Sequence, residues 1–459
     1  MGVRFVLNGE PVDVDGGDPH VSLLQWLRAS GRTGSKEGCA EGECGACAVA
    51  LVRADNQGRV RFDSVNSCLI PLAVADGETI VSVEGVAARD GTLHPVQRAM
   101  VDAGGSQCGY CTPGFVVSLF CEYYRPGRLD FDPESIGGNL CRCTGYRPIA
   151  DGARALPAPA ADDHRLPAAA PVKDAVESAR FARPTTLEAL WRCRDERPGA
   201  VLIAGGTDLM VYANQKHQRF PALISLEALP ELRCFSSETR EISIGAGLTL
   251  SELEERLGHG SVDEVPMLSQ LWPLFSSRLI RNRATLGGNL ATASPIGDAP
   301  PALLALDAEV TLAGPRGERR LPLAHFFTGY RKTALAPDEI ITKVHLPRPL
   351  PAVQRFYKVS KRVLDDISTV AAAFALDLTT DGRIERLRIA YGGVAATPIR
   401  ATAAEALAAG RPWSSPTMAA IVAELAHAGS PIGDHRGSAA YRRAMIGRLF
   451  EKFFAEEPR

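Results

Sequence analysis

Residues 36–47 read KEGCAEGECGAC, which places three cysteines in a glycine-rich loop and is followed by a fourth cysteine at position 68. A C-x4-C-x2-C run with a distant fourth cysteine is the spacing of plant-type [2Fe–2S] sites. The glycines allow the backbone to fold tightly around a small inorganic core. A zinc site, the alternative, would more often use C-x2-C pairs or include His. The spacing therefore predicts the cluster ligands Cys39, Cys44, Cys47 and Cys68.

A second cysteine set lies in residues 105–115 (GSQCGYCTPGF) and 137–146 (GGNLCRCTGY). Four thiolates suffice for one further cluster, although C-x2-C with C-x-C is also compatible with zinc. A thioredoxin-like motif is disfavoured because no strand is predicted before it. The surrounding sequence is helical, and a cysteine at a helix N-terminus would have its thiolate favoured by the helix dipole. The predicted ligands are Cys108, Cys111, Cys141 and Cys143.

Composition excludes several classes of protein. The chain has 459 residues, enough for roughly three domains. Its net charge of −2 argues against a nucleic-acid binder, and no apolar run is long enough to span a membrane. Eleven cysteines without an export signal disfavour a disulfide framework and indicate a cytoplasmic protein. The cysteines outside the two sets, at 121, 193 and 234, are expected to be inert thiols.

Residues 155–172 are rich in proline and alanine and predict an exposed linker between a cysteine-rich head and a cysteine-poor body. In the head, Asn8-Gly9 predicts a hairpin turn between the first two strands, and Ser22–Ser30 predicts a short helix. In the body, strands are predicted at 356–359, 370–378 and 384–392. Helices are predicted afterwards near 401–409, 416–428 and 438–455.

Two glycine pairs in the body are candidate phosphate-binding turns: Gly205-Gly206 after strand-like residues, and Gly287-Gly288 in a segment running from Thr285 to Asn289. Backbone N–H groups at such turns can approach a pyrophosphate closely. Each pair alone is weak evidence, but two of them beside two cluster motifs indicate a flavin dinucleotide. Residues 245–250 lack the third glycine of a dinucleotide fingerprint, so no separate NAD domain is predicted.

Three nearby arginines, Arg278, Arg281 and Arg283, permit two interpretations. They could form a phosphate-binding patch. Alternatively, they form a solvated face or pair with carboxylates for structural reasons.

Together these stretches resemble the molybdenum hydroxylase family, and within it the iron–sulfur and flavin subunit of two-subunit xanthine dehydrogenases. Both cysteine motifs match the family almost letter for letter. Residues 202–211 (LIAGGTDLMV), 284–308 (ATLGGNLATASPIGDAPPALLALDA) and 357–368 (YKVSKRVLDDIS) are similar to its flavin domain. The resemblance covers nearly the whole chain in the family's order.

The resemblance implies an α+β multidomain fold. The expected parts are a β-grasp ferredoxin-like domain with a plant-type cluster at 1–86, a four-helix [2Fe–2S] domain at 87–154, a linker at 155–177, a two-part FAD-binding domain at 178–347 and a C-terminal α+β flavoprotein domain at 348–459.

The resemblance also implies ligand contacts. Gln107 would reach the pterin of a partner, and the loop Lys361–Asp366 would lie near the flavin ring. The residues expected to contact FAD are Leu202, Ile203, Ala204, Gly205, Gly206, Thr207, Asp208, Leu209, Phe275, Thr285, Asn289, Asp298, Ile341 and Lys358. No catalytic residue is assigned to this chain.

The implied function is electron transfer. The family's molybdenum-binding part is not in this sequence, so we expect a large partner subunit carrying molybdopterin, in a heterotetramer of two small and two large subunits. That partner would hydroxylate hypoxanthine and xanthine to urate. Electrons would pass through two [2Fe–2S] clusters to FAD and then to NAD.

Other readings stay open. The partner could act on a different N-heterocycle or an aldehyde, whereas carbon monoxide dehydrogenase relatives usually carry the flavin and cluster parts on separate chains. A zinc-held or redox-sensing scaffold, and a free-standing NADH-oxidising flavoprotein, are the alternatives from other classes.

Overall fold

The computed structural model describes residues 2–15, 18–160, 163, 165–257 and 264–457. Within them the chain forms two compact units, Met1–Leu229 with Ser277–Ala284, and Pro230–Ser276 with Thr285–Arg459. The fold is α+β with mixed sheets, as predicted. No helix in these ranges combines the length and apolar character needed to cross a membrane.

The first unit begins with a β-grasp sheet whose strand order is β2-β1-β5-β3-β4. Strand β1 is antiparallel to β2 and parallel to β5, and the helix α1 packs against the same core. The predicted hairpin is confirmed, because Asn8 and Gly9 both adopt the left-handed conformation between β1 and β2. The elements are β1 (Val3–Leu7), β2 (Glu10–Val14), α1 (Leu23–Ala29), β3 (Ala48–Ala54), β4 (Val60–Asn66) and β5 (Thr79–Val81).

Helices of the cysteine-rich head then cover the other face of this sheet. They are α2 (Pro95–Asp102), α3 (Thr112–Tyr123) and α4 (Arg147–Arg154), with a 3₁₀ helix at Pro133–Ile136. Strand β3 is buried on both faces because alternate side chains point in opposite directions. Val49 and Leu51 enter the core with α1, whereas Ala48, Ala50 and Val52 enter the core with α3.

The segment predicted as an exposed linker is anchored to the head at two of its described positions. Its described residues before Val176 form neither helix nor strand after α4, while Ala161, Asp162 and His164 lie outside the described residues. Arg165 donates to the carbonyl of Gly85 at 2.9 Å, and Leu166 packs against the helical core. Proline prevents regular structure here, but polar and apolar side chains still anchor the segment.

A small sheet of order β6-β7-β9-β8 completes the first unit. Its strands β7, β9 and β8 are parallel. Its core residues Ile203, Met210 and Leu223 are continuous with the β-grasp core. The elements are β6 (Val176–Glu177), β7 (Phe181–Arg183), α5 (Leu187–Glu196), β8 (Val201–Ile203), α6 (Leu209–Gln215) and β9 (Leu223–Ser225).

The second unit contains a sheet of order β10-β11-β16-β12-β13, in which each strand is antiparallel to its neighbours. Its strands are β10 (Phe235–Ser237), β11 (Glu241–Gly245), β12 (Glu309–Gly314), β13 (Gly317–Pro322), β14 (Phe327–Gly329), β15 (Lys332–Thr333) and β16 (Ile340–Pro347), where β14 and β15 pair separately. The helices of residues 250–305 are α7 (Leu250–Leu257), α8 (Pro266–Leu271), α9 (Arg278–Arg281), α10 (Leu286–Ala291) and α11 (Ala299–Ala305). Of these, α9 belongs to the first unit.

The C-terminal part of the second unit is an antiparallel sheet of order β17-β18-β19-β20. The three predicted strands and three predicted helices are confirmed. Phe374 on β18 is fully buried against Phe450 and Phe453 of α14. The elements are β17 (Val353–Val359), β18 (Val370–Leu378), β19 (Ile384–Gly392), β20 (Ile399–Arg400), α12 (Thr402–Ala408), α13 (Ser415–Leu425) and α14 (Ala439–Glu456).

A buried ion network joins three segments of the first unit. Arg53 binds Glu78 through two nitrogens at 2.6 and 2.8 Å, and Lys173 binds Glu78 at 2.6 Å and Glu227 at 2.7 Å. Burial opposes ionisation of Glu78, but the charges of Arg53 and Lys173 outweigh it and hold the pKa of its carboxyl well below the usual range. The linker residue Lys173 is therefore part of a structural network.

We expect Glu78→Gln to lower the free energy of unfolding at neutral pH by on the order of 3 kcal/mol, because two partly buried cations lose their shared, buried counter-charge. The depressed pKa means that this stabilisation is present above the unfolded pKa of about 4.3 and is lost as the pH falls. Thermal unfolding between about pH 6 and pH 3 should show a steeper loss of Tm for the wild type than for the variant. Equal slopes would contradict the prediction. Glu10→Gln, at an exposed pair with Arg89, is the matched control.

Candidate functional site

The thiols of the first cysteine set meet as two pairs. Cys39 hydrogen-bonds to Cys44, and Cys47 hydrogen-bonds to Cys68. The bond from Cys44 lowers the pKa of Cys39 to about 5, and the bond from Cys68 lowers the pKa of Cys47. One thiol of each pair is therefore biased toward the thiolate, which is the form that binds metal.

The second set has the same arrangement. Cys108 contacts Cys143, and Cys111 contacts Cys141. The backbone N–H of Tyr110 and the thiol of Cys143 lower the pKa of Cys108. As predicted, Cys111 is the N-cap of α3; the other pair partners lie in the loops before α3 and α4.

The pairing bears on the choice between a cluster and zinc. A structural zinc ion needs four ligands around one point. Two thiol pairs fit the two irons of a [2Fe–2S] cluster, with one pair for each iron.

The loop Gly38–Cys47 is shaped by close contacts that only small residues permit. A Cβ on Gly38 would lie 2.7 Å from the Sγ of Cys44, and a Cβ on Gly114 of α3 would lie 2.2 Å from the carbonyl of Gly45. Ala40 and Gly45 have φ values of 56° and 65°. The glycines thus leave room at the thiols and allow α3 to approach the loop.

Because the loop forms no helix or sheet, its carbonyl groups accept hydrogen bonds from distant residues. Asn66 donates to Gly42 at 2.9 Å, and Asn139 donates to Gly45 at 3.1 Å. The backbone N–H of Leu140 donates to Cys44 at 3.0 Å, which links the first set to the residue before Cys141. These donors were not predicted.

Two more unpredicted donors lie at the end of α6. Asn214 Nδ2 lies 2.9 Å from the carbonyl oxygens of both Ala40 and Cys68, and Gln215 Nε2 lies 2.5 Å from that of Cys39. The donors and acceptors are separated by 146 to 176 positions in the chain. No spacing rule connects residues so far apart, so sequence patterns carry no signal for them.

The Gly205-Gly206 turn leads from β8 into α6, as the sequence predicts. Gly206 has a φ of 79°, and a Cβ there would lie 3.0 Å from the carbonyl of Leu69. A Cβ on Gly205 would lie 2.0 Å from the carbonyl of Arg283. Both positions therefore require glycine, for backbone conformation in one case and for packing in the other.

The second glycine pair does not form a turn after a strand. Thr285 is the N-cap of α10, and its hydroxyl accepts from the N–H of Gly288 at 3.1 Å. This cap starts a helix where a loop was expected. Gly287 is required by close packing, since its Cβ would lie 2.7 Å from that of Ala246.

The second unit brings several predicted flavin contacts together. Lys358 Nζ lies 2.8 Å from Asp298 Oδ2 and 2.7 Å from the carbonyl of Leu274, the neighbour of Phe275. Burial raises the pKa of Asp298, and the ammonium of Lys358 opposes this shift. A buried pair of opposite charges therefore stands beside Phe275.

The remaining predicted contacts of this unit lie on α10 and β16. Asn289 is on α10, and its Oδ1 is buried with no hydrogen-bond partner in the part of the chain that the structure describes. Ile341 lies on β16 opposite Leu312, and α10 packs against β16. An orphaned buried amide oxygen is the kind of group that a polar ligand satisfies.

The three arginines at 278, 281 and 283 all lie close to carboxylates. Arg278 binds Asp132 and Glu134 at 3.0 and 2.8 Å, and Arg281 binds Glu134 at 2.5 Å. Arg283 lies 3.7 Å from Glu227. Of the two interpretations, structural pairing is the one that these contacts support.

The remaining residues singled out in the sequence are the three cysteines outside the two sets, Gln107 and the loop Lys361–Asp366. Cys121 and Cys193 are buried, and Cys234 is half-buried with its thiol directed at the carbonyl of Glu231. Gln107 is exposed beside Cys108, and the loop Lys361–Asp366 is closed by a bond from the N–H of Arg362 to Asp366 at 2.8 Å.

Four family models match the chain in succession. They are a 2Fe-2S iron–sulfur cluster binding domain at 5–73, a [2Fe-2S] binding domain at 82–154, the FAD binding domain in molybdopterin dehydrogenase at 176–349 and the CO dehydrogenase flavoprotein C-terminal domain at 355–457. The chain is 32% identical to the xanthine dehydrogenase of Emericella nidulans over 98% of its own length and 38% of that protein.

The chain belongs to the molybdenum hydroxylase family. Xanthine dehydrogenase 2 of Arabidopsis thaliana is 31% identical over 99% of this chain and 40% of its own length. The chain thus spans about two fifths of the curated relatives it matches. It has the iron–sulfur and flavin domains of an oxidoreductase in this family.

Solved structures of molybdenum hydroxylases are also similar to this chain. Carbon monoxide dehydrogenase of Hydrogenophaga pseudoflava aligns with a TM-score of 0.55 and 27% identity, covering 60% of this chain and 94% of that chain. Quinoline 2-oxidoreductase of Pseudomonas putida 86 aligns with a TM-score of 0.55 and 25% identity, covering 61% of this chain and 96% of that chain.

We expect Cys44→Ser to remove the electron paramagnetic resonance signal of one [2Fe–2S] cluster and about half of the iron, since one thiol pair loses a member. The other cluster signal and the FAD content should be unchanged. Cys234→Ser, at a half-buried cysteine outside both sets, is the control and should keep both signals. Two unchanged signals in Cys44→Ser would exclude Cys44 as a ligand.

Proposed function

We propose that this chain is the electron-transfer subunit of an NAD-dependent xanthine dehydrogenase. The observation that carries the electron-transfer part of the proposal is the backbone bond from Leu140 to Cys44, because it connects the two thiol sets through adjacent residues. Clusters in these sets would carry single electrons, and FAD would pass electron pairs to NAD. The eight cysteines predicted above are the proposed cluster ligands.

The substrate proposal rests on the relatives. The curated relatives described above are named xanthine dehydrogenases and align with nearly the whole chain. Their activity supports hydroxylation of hypoxanthine and xanthine to urate by a partner, with NAD as the final acceptor. In the described chain no cysteine forms a disulfide, which is compatible with the proposed location in a reducing compartment such as the cytoplasm.

We propose that Leu202–Leu209 contact the pyrophosphate of FAD. The left-handed Gly206 turns the backbone between β8 and α6, and such a turn can direct backbone N–H groups toward a phosphate. Met210 N bonds to Gly206 O at 3.0 Å, which fixes the turn against α6.

In the second unit, Phe275, Thr285, Asn289, Asp298, Ile341 and Lys358 are proposed FAD contacts. Lys358 is held by Asp298 and by the carbonyl of Leu274, so its ammonium is fixed in place without ligand. Asn289 offers a buried acceptor to a donor on the ligand. The loop Lys361–Asp366 would lie near the flavin ring.

The surface around the second cysteine set suits a large partner with molybdopterin. Cys108 and Cys143 are exposed, next to Gln107. Tyr110 and Leu140, close in sequence to these two cysteines, are exposed to 49% and 43%. We propose that the partner docks here, that Gln107 reaches its pterin, and that two subunits of each kind form a heterotetramer.

A second candidate is the same electron-transfer role with a different substrate, another N-heterocycle or an aldehyde. It is supported by the likeness to quinoline 2-oxidoreductase and carbon monoxide dehydrogenase, whose aligned chains cover about three fifths of this one.

The full chain, purified from its host with whatever binds it, tests the proposal. We expect about four irons and one FAD per chain, molybdenum in proportion to a large co-purifying subunit, and xanthine-dependent reduction of NAD. Zinc in place of iron, or no flavin, would overturn the proposal. Hydroxylation of a quinoline or an aldehyde, without activity on xanthine, would favour the second candidate.

A separate variant tests the FAD contact of the glycine turn. A β-branched residue in the left-handed conformation costs roughly 1–3 kcal/mol, so Gly206→Val should lower FAD per chain about tenfold. Iron content should not change. Gly58→Val has the same left-handed strain in open space and should keep its FAD. Normal flavin in Gly206→Val would exclude this turn from the site.

A further inference from the structure

The end of α6 supplies uncharged hydrogen-bond donors to the first cysteine set. Asn214 donates to the carbonyls of Ala40 and Cys68, both at 2.9 Å, and Gln215 donates to Cys39 at 2.5 Å. All three acceptors are backbone carbonyl oxygens, and two of them belong to residues whose thiols are proposed ligands, Cys39 and Cys68. They also belong to different thiol pairs, so the donors reach both ends of the set.

The geometry at Asn214 suits a bridge between two segments. An amide nitrogen carries two hydrogens, so one side chain can satisfy both carbonyls at once. Ala40 is in the left-handed conformation in the loop, while Cys68 lies in the 3₁₀ helix Ser67–Leu69. Asn214 therefore holds together the two chain segments that carry all four thiols of this set.

The same helix begins at the proposed pyrophosphate turn. Asp208 is the N-cap of α6, and the backbone of Leu69 lies against Gly206. The donors to the cysteine loop and the turn for FAD are thus placed at opposite ends of one seven-residue helix.

We propose that Asn214 and Gln215 are positioning residues that raise the reduction potential of the cluster held by Cys39, Cys44, Cys47 and Cys68. The inference rests on the ligand assignment of the proposed function. One-electron reduction adds negative charge to the cluster. Amide N–H dipoles whose positive ends face the loop favour the more negative, reduced form through electrostatics, as hydrogen bonds to cluster sulfurs also do.

The test is a redox titration of the full chain with dithionite as the electron donor, followed by electron paramagnetic resonance. Cys44→Ser identifies which signal belongs to the first set. Asn214→Leu should lower the ratio of reduced to oxidised cluster at a fixed ambient potential about tenfold, a shift of about 59 mV for a one-electron couple. Gln215→Leu should shift the same signal in the same direction by less.

The control and the second signal separate this role from a general loss of structure. Gln218→Leu, at an exposed position after the same helix, should leave the potential unchanged. The second cluster and the FAD content should be unchanged in every variant. Gln215 is exposed, so its variant decides the matter if Asn214→Leu does not fold.

The two possible failures differ. Unchanged potentials in Asn214→Leu and Gln215→Leu, with both cluster signals present, would overturn this inference and leave the proposed function standing. A wild-type chain without a [2Fe–2S] signal, or one whose signals survive in Cys44→Ser, would overturn the ligand assignment and this inference with it.

Discussion

The carbonyl groups of a loop that forms neither helix nor sheet must find hydrogen-bond donors elsewhere, and this need organises the first unit. In the loop Gly38–Cys47, they find donors on β4, on the segment before Cys141 and on α6. Each donor comes from a different domain of the family. The loop is thereby the point at which these domains converge, and their packing depends on its conformation.

The same requirement explains where glycine is indispensable. Because Gly114 has no side chain, α3 can approach the carbonyl of Gly45. The absence of a side chain on Gly205 likewise leaves room for the carbonyl of Arg283. Charged residues complete the assembly away from the thiols. The ion pair of Lys173 and Glu78 joins the linker to the β-grasp sheet. The ion pair of Arg281 and Glu134 joins α9 to the 3₁₀ helix Pro133–Ile136. The thiols are the candidate ligand groups of this unit, whereas the ion pairs have a structural role and hold the surrounding helices and strands in place.

Local patterns predicted much of this structure. Left-handed turns such as Asn8-Gly9, the strands around β18 and the cap at Cys111 follow from nearest neighbours and from side-chain periodicity. Contacts between residues far apart in the chain could not be predicted from such local patterns. Thr285 was expected in a loop because the glycine pair suggested one, yet its hydroxyl caps a helix. The role of Asn214 has no signal in the sequence, because it is defined by carbonyls more than a hundred positions away.

The separation between the loop and its last donors has a consequence for biosynthesis. Asn214 and Gln215 lie 174 and 176 positions after the carbonyls of Ala40 and Cys39 that they bind. A chain growing on the ribosome completes the β-grasp strands long before these donors emerge. The cysteine loop therefore acquires its full set of hydrogen bonds only after α6 has been synthesised and has docked. The first cysteine set is thus completed late in the synthesis and folding of this unit.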